Sequence, residues 1–269
     1  MEKLRMLGTG SAMVTKCYNT CFTISNNEDS EYFLVDAGGG NTILSNLEKA
    51  DISINNIHNV FISHNHNDHI LGVIWIIRAA CNNMLKSKYK GNLNIYAHKL
   101  SLDAIKSISS FVLQKKFLNL FDTRVIFNEI HHNYNTTILG REITFFDINS
   151  TKDLQHGFKL KLQNNKTLTF LGDEPYREGV KDFCVNVDYL LHEAFCSYAD
   201  REIFKPYEKH HATAKDACAN AALLNVKSVL LYHAEDKNLL TRKERYIAEG
   251  KEVFSGNIFV PNDLDEIIL

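Results

Sequence analysis

The sequence predicts an α/β fold of two β-sheets flanked by helices, and three observations carry that expectation. Short segments rich in branched and aromatic residues recur along the chain, bounded by Gly, Asn or Asp. Helix-like stretches fall between several of them. Several strands precede the first long helix, and strands and helices then mix, as expected of sheets with helices packed on them. The strand-like segments are Leu4–Leu7, Thr20–Ile24, Tyr32–Val35, Asn59–Ile62, Leu93–Ala97, Glu142–Ile148, Phe158–Leu162, Thr167–Phe170, Tyr189–His192 and Ser228–Tyr232. The helix-like ones are Asn41–Lys49, His69–Ala80, Ser101–Lys115, Thr213–Leu224 and Thr241–Gly250. Thr213 is expected to cap its helix, with Asp216 three residues on in a capping-box position. Asn257–Leu269 reads as a closing strand and turn. With no low-complexity linker, repeat or long charge block, residues 1–269 are expected to form a single domain.

Composition narrows the classes. The chain has 269 residues, 45% of them hydrophobic, and 30 Lys+Arg against 32 Asp+Glu give a net charge of −2. That excludes a disordered or fibrous protein and leaves ample chain for a core. Near-neutral charge argues against a broad electrostatic footprint for nucleic acid. The opening MEKLRMLGTGSAM contains no long apolar stretch, so no signal peptide is expected. The longest apolar run, Val73-Ile74-Trp75-Ile76-Ile77, stops at Arg78 and is far too short to span a bilayer. The 6 Cys show no CxxC pair, as expected of thiols in a reducing cytoplasm. The unusual number is 12 His.

Three of these histidines stand together in Ser63-His64-Asn65-His66-Asn67-Asp68-His69, after one predicted strand and at the start of a helix. Buried without a partner, Asp68 would have to protonate and the imidazoles would crowd one another. A divalent ion of the zinc class removes that conflict, because neutral imidazole and carboxylate are its ordinary nitrogen and oxygen ligands. In an extended turn His64 and His66 point the same way, while Asp68 and His69 fall past the bend, so one loop can serve two neighbouring ions.

The HxHxDH pattern resembles that of the metallo-β-lactamase superfamily, and other motifs follow in the family's order. Leu7-Gly8-Thr9-Gly10-Ser11-Ala12 is similar to the opening of its ribonuclease Z-like branch, and Leu34-Val35-Asp36-Ala37-Gly38 to its strand-ending Asp-Ala/Cys-Gly. Leu171-Gly172-Asp173 resembles the Gly-Asp that supplies a bridging carboxylate, and Leu231-Tyr232-His233 the strand that precedes the last metal-binding His. The resemblance covers residues 4 to 235. It implies an αββα metallo-β-lactamase sandwich of two mixed β-sheets flanked by helices. It also implies a centre of two divalent ions, zinc foremost, with manganese and iron suited to the same donors. His64 and His66 are then expected at metal one, Asp68, His69 and His233 at metal two, and Asp173 bridging.

One ligand departs from the pattern. The family's remaining His lies about six residues before a Gly-aromatic pair; here that pair is Gly157-Phe158, and the position holds Thr151. His156, immediately before Gly157, is the candidate in its place; a histidine facing substrate is the alternative. His131 and His132 precede a turn-rich stretch and are expected at the surface.

Two further motifs choose the branch. Leu190-Leu191-His192-Glu193-Ala194-Phe195 is similar to the HEA(T) element of ribonuclease Z-like enzymes, and His210-His211-Ala212-Thr213-Ala214 to their His-Ser-Thr-Ala element. A carboxylate that orients an imidazole makes a general acid for a departing alkoxide, which assigns that role to His211 supported by Glu193. His192 is expected to face the core and His210 the solvent. The implied activity is metal-dependent hydrolysis of a phosphodiester, with Asp68 orienting the attacking water. The alternative is another small ester, a thioester, a lactone or a cyclic phosphate. Long ribonuclease Z-like enzymes carry a protruding arm between the third His and the bridging Asp. Gly157 to Asp173 reads instead as one hairpin, which favours small phosphodiesters or short RNA. The insert Ser197–Lys209 is expected to form a lid or a packing or dimer contact, and enzymes of this branch are often homodimers.

Overall fold

The structure is a computed structural model that describes residues 1–26 and 28–269. The chain divides into two compact units. One comprises Met1–Gly8, Tyr18–Ile130 and Asp263–Leu269; the other comprises Thr9–Cys17 and His131–Asn262.

The first unit is built on strands β1 (Lys3–Gly8), β2 (Cys21–Ser25), β3 (Tyr32–Val35), β4 (Ile57–Phe61), β5 (Leu93–Ala97), β6 (Val125–Glu129) and β14 (Glu266–Ile268). They form one mixed sheet in the order β14-β1-β2-β3-β4-β5-β6. Pairing is antiparallel from β14 to β3 and parallel from β3 to β6. At the junction, β3 is buried at all four residues, as a near-continuous apolar strand should be. Helices α1 (Thr42–Lys49), α2 (Asn67–Leu85), α3 (Lys99–Val112) and the short α4 (Lys115–Leu118) belong to this unit. Ile43 and Leu47 of α1, Ile70, Val73 and Ile77 of α2, and Ile105 of α3 share a core with Leu34, Val60 and Ile95 of the strands.

The second unit repeats the plan. Its strands are β7 (Tyr134–Ile138), β8 (Arg141–Asp147), β9 (His156–Lys161), β10 (Thr167–Phe170), β11 (Tyr189–Glu193), β12 (Ser228–Tyr232) and β13 (Asn257–Phe259), in the order β13-β12-β11-β10-β9-β8-β7. Pairing is antiparallel from β7 to β10 and parallel from β10 to β13. Helices α5 (Lys181–Cys184), α6 (Arg201–Phe204), α7 (Ala214–Leu223) and α8 (Leu239–Lys251) accompany it. The expected cap of α7 is present in both directions: Thr213 accepts from the Asp216 amide while Asp216 accepts from the Thr213 amide. Two mixed sheets, each with its helices, are the metallo-β-lactamase architecture expected from the sequence.

Three local expectations differ. Strands β6 and β7 were not anticipated. Only Val125 of β6 is buried, and β7 alternates partly buried and exposed residues up to Ile138, as an edge strand does, so neither has a strong apolar run. Helix α2 starts two residues earlier than expected and continues to Leu85, because Cys81 and Met84 are buried beyond the expected end at Ala80. The segment expected as one helix to Lys115 breaks after Val112, where Leu113 turns extended. Ser197–Lys209 forms short turns fastened to α8: Glu249 accepts from the amides of Tyr198 and Ala199 at 2.7 and 3.0 Å, and Arg245 pairs with Asp200 at 2.6 Å. Among the described residues no helix is long and apolar enough to cross a membrane.

Helix α2 docks onto the turn that follows β3. The Ala37 amide donates to His69 O at 3.0 Å and the Gly72 amide to Gly38 O at 2.8 Å. A Cβ on Gly72 would stand 1.9 Å from Ala37 O. Helix propensity alone would favour Gly72→Ala by about 1 kcal/mol, so a net loss reports the clash. The expected outcome is a loss of about 2 kcal/mol or more, read as a lower urea midpoint at unchanged slope. A wild-type midpoint would show that the contact gives way.

Candidate metal centre and general-acid pair

The predicted site residues fall on both units. In the first, Asp36 follows β3 in a left-handed conformation, φ 53°, that non-glycine residues seldom adopt. The turn aims its buried carboxylate at the loop after β4. Asp36 Oδ1 accepts from the Ser63 amide at 2.8 Å, and Oδ2 accepts from Ser63 Oγ and His69 Nδ1, both at 2.8 Å. Ser63 Oγ also lies 2.9 Å from His64 Nδ1. Because the single hydroxyl proton goes to Asp36, His64 must donate to Ser63 Oγ from Nδ1. His64 and His69 therefore take the same tautomer, with Nε2 as the nitrogen that carries the lone pair, which is the form a metal requires.

The loop ends as α2 begins, so Asp68 and His69 occupy its first turn and His66 its cap position. His64, Asp68 and His69 are buried and His66 is half-buried. Ligand atoms of His64 and His66 approach within 4.8 Å, as do those of Asp68 and His69, where Nε2 and Oδ2 are 3.4 Å apart. Burial works against a charge on His69, but the carboxylates of Asp68 and Asp36 outweigh it and hold its pKa well above the usual imidazole range. Nε2 therefore keeps a proton toward Asp68 that a bound cation would displace, leaving the lone pair there.

In the second unit the donors again follow parallel strands. Gly172, φ 70°, turns the chain after β10; a Cβ there would meet Gln155 Oε1 at 2.9 Å. Asp173 comes next, and its amide points to the same Gln155 oxygen at 3.4 Å. His233 follows β12 with φ 60°, and its Nε2 is 3.6 Å from Asp173 Oδ2. At the end of β11, Glu193 is fully buried, and one oxygen accepts the Ala212 amide. The other lies 3.5 Å from His211 Nδ1, an ion-pair distance. Burial pushes the Glu193 carboxyl up, against the pull of His211 and the Ala212 amide. Phe195 stacks on the His211 ring at 5.1 Å and 11°, and the His233 ring is 5.3 Å away.

The donor sets fit a divalent cation. His64, His69 and Asp68 concentrate neutral imidazole nitrogen and carboxylate oxygen in a buried loop, and Asp173 with His233 does so in the second unit. Such sets are the ordinary ligands of zinc-class ions, and a cation offsets the cost of burying the carboxylates. His156 is buried as the first residue of β9, opposite Asp147 of β8. His131, His132 and His210 are exposed. His192 is buried and neutral: its Nδ1 donates to Glu193 O at 2.7 Å, and Nε2 accepts from the Tyr176 amide at 3.2 Å. The residue roles missed from sequence are those of Asp36, Ser63 and Gln155; Asp36 alone had a signal, the Asp-Ala-Gly that ends β3.

Two outcomes follow. Asparagine tolerates left-handed backbone, so Asp36→Asn keeps the turn and removes the carboxylate. Metal affinity, measured by competition with a chelator, is expected to fall about 10- to 100-fold; equal affinity would sink the orienting role. Burial lowers the His192 pKa to about 4 from 6.5, so the unfolded chain binds its proton first. Its contribution is present above pH 6.5 and lost as pH falls toward 4. His192→Asn should flatten the decline of melting temperature across that window, and an identical decline in both proteins would count against it.

Comparison with known proteins agrees with this geometry. The chain is 26% identical to a ribonuclease Z of Thermococcus sibiricus, over 100% of its own length and 97% of the relative's. Its fold is similar to that of YhfI, a metallo-β-lactamase fold protein from Bacillus subtilis, with a TM-score of 0.78 at 19% identity, covering 99% of this chain and 98% of that one. The short form of human tRNase Z gives a TM-score of 0.75 at 18% identity over 99% and 98%. Residues 2–248 match the model of the family described as Anti-Pycsar protein Apyc1. The chain belongs to that family and is a metal-dependent hydrolase of the metallo-β-lactamase fold, in its ribonuclease Z-like branch.

Proposed function

We propose that the protein hydrolyses small phosphodiesters, linear or cyclic, at a centre of two divalent ions, zinc foremost. In this reading His64, His66 and His156 would hold one ion, Asp68, His69 and His233 would hold the other, and Asp173 would serve both. The 1–269 chain works as a single domain, in the cytoplasm, where its thiols stay reduced. Bound there, the ions supply an activated water and charge stabilisation for the phosphoryl oxygens.

The chain's own residues do the rest. Asp68 orients the attacking water and accepts its proton. His211 delivers a proton to the departing oxygen, and Glu193 stabilises the imidazolium that precedes delivery. The observation that carries this reading is the buried Glu193 carboxylate 3.5 Å from His211, whose ring is fixed by Phe195 and lies 5.3 Å from His233. A general acid so placed suits an alkoxide leaving group, as in a phosphodiester. Substrate size is argued from the chain between His156 and Asp173. It is only the antiparallel β9–β10 hairpin, with no room for an RNA-gripping arm. The relative named ribonuclease Z supports short RNA as a second substrate.

The experiment compares His211→Ala with wild type on a nucleoside cyclic phosphate, whose leaving group is an alkoxide, and on bis(p-nitrophenyl) phosphate, which needs little acid assistance. Expected is a fall of roughly 10²- to 10⁴-fold on the first, a much smaller fall on the second, and unchanged metal content. Equal losses on both would remove the general-acid role.

A further inference from the structure

Where the family pattern places an imidazole, this chain has Ser150-Thr151-Lys152, and the second unit holds this loop firmly. Its anchor is Glu174, fully buried one residue after Asp173. Glu174 accepts from Ser150 Oγ at 2.5 Å, the Thr151 amide at 3.1 Å, the Lys152 amide at 3.3 Å and Arg177 Nη2 at 3.1 Å. Burial alone would push its carboxyl up, but these donors outweigh burial and hold it below the usual range. Thr151 Oγ1 is further fixed by Arg177 at 3.0 Å and by His210 Nδ1 at 3.0 Å.

The loop directs one cation. Lys152 Nζ lies 3.3 Å from His211 Nε2, the nitrogen that faces away from Glu193. An ammonium has only protons to give, so Nε2 accepts here and the ring proton sits on Nδ1, toward Glu193. Among the described residues no carboxylate lies within salt-bridge distance of that ammonium, since Glu174 is engaged through the Lys152 backbone. The ammonium's charge helps hold Glu174 ionised from a distance, but its only direct hydrogen-bond partner among the described residues is an imidazole. The neighbouring donor points the same way: Gln155, fully buried, gives its oxygen to the Asp173 amide, and its Nε2 has no acceptor.

We propose that Lys152 is the specificity-determining residue that binds a nonbridging oxygen of the substrate phosphate beside the oxygen that His211 protonates, so that the site selects phosphodiesters over uncharged esters. The assignment rests on the phosphodiesterase reading above. When substrate enters, the ammonium leaves Nε2 for the phosphoryl oxygen, and Nε2 takes up a proton from solvent. The imidazolium paired with Glu193 then presents that proton to the leaving oxygen. Lys152 thus supplies, through an electrostatic contact, positive charge one residue beyond Thr151, the position where the family pattern has a histidine.

The test uses the metal-loaded full chain and steady-state kinetics on a nucleoside cyclic phosphate. Lys152→Met keeps the aliphatic stem and removes the charge. Expected is a rise in KM of roughly 10- to 100-fold, the loss typical of a charged hydrogen bond. Expected with it are a kcat within about threefold, unchanged metal content and a weaker salt dependence of kcat/KM. Lys152→Arg should restore most of the affinity, and inorganic phosphate should inhibit Lys152→Met more weakly than wild type. An unchanged KM and phosphate inhibition constant in an active Lys152→Met enzyme would overturn the assignment alone. So would a fall in kcat at constant KM with a displaced pH profile, which would make Lys152 a positioning residue for His211. A wild-type protein with full metal content and no turnover of any phosphodiester would overturn the underlying reading, and the assignment with it.

Discussion

The buried carboxylate of Asp36 is the constraint on which the histidine-rich loop depends. It receives three hydrogen bonds, two from Ser63 and one from His69, and Ser63 passes the orientation on to His64. A desolvated carboxylate costs several kcal/mol, and charged hydrogen bonds return about 1.5–3 kcal/mol each, so the three donors together offset its burial. One anion therefore fixes two ring orientations, two tautomers and the entry of α2. The left-handed backbone at Asp36 is what turns that anion off the end of β3 and onto the loop.

The second unit solves the same problem by similar means. Gly172 and His233 also take positive φ, two residues and one residue after their strands, each turning a donor across the end of the sheet. Tyr232 donates from its hydroxyl to Gly172 O, tying the two turns together, and Gln155 braces the Asp173 amide. A non-glycine residue at positive φ persists where its surroundings over-determine it, and here Asp36 supports proposed ligands and His233 is one, while Gly172 adopts its φ without strain. The acid pair has a different support. Glu193 is fixed by the Ala212 amide and His211 by the face of Phe195, over which Lys209 lies with its ammonium 4.8 Å from the ring centroid.

Legibility in the sequence followed distance along the chain. Residues 63–69 could be read directly because the donors are neighbours, and period-2 and apolar patterns located most strands of both sheets. Asp173, Glu193, His211 and His233 were legible through motifs that a family resemblance supplies. The role of Asp36 was not, since its partners stand 27 and 33 residues away. The approach of Lys152 to His211 spans 59 residues and has no local pattern at all. Strand β7 was hidden for another reason. An edge strand of Tyr-Asn-Thr-Thr-Ile has few apolar residues, and only its pairing with β8 makes it a strand.

The order of strands in the second sheet separates what must be kept from what can vary. Strand β8 runs parallel to β10, β11 and β12, since β9 is antiparallel to both of its neighbours. The loop after β8, which carries Lys152, therefore opens on the same edge as Asp173, Glu193 and His233. Carboxyl ends of parallel strands are where α/β proteins gather their ligand contacts, because loops there are exposed while the strands below stay packed. Residues 149–154 can lengthen, shorten or change charge while Ile148, Gln155, Phe146 and Phe158 remain buried around them. Descendants of such a chain could exchange one anionic substrate for another by rewriting six residues, with the proposed hydrolytic apparatus inherited intact.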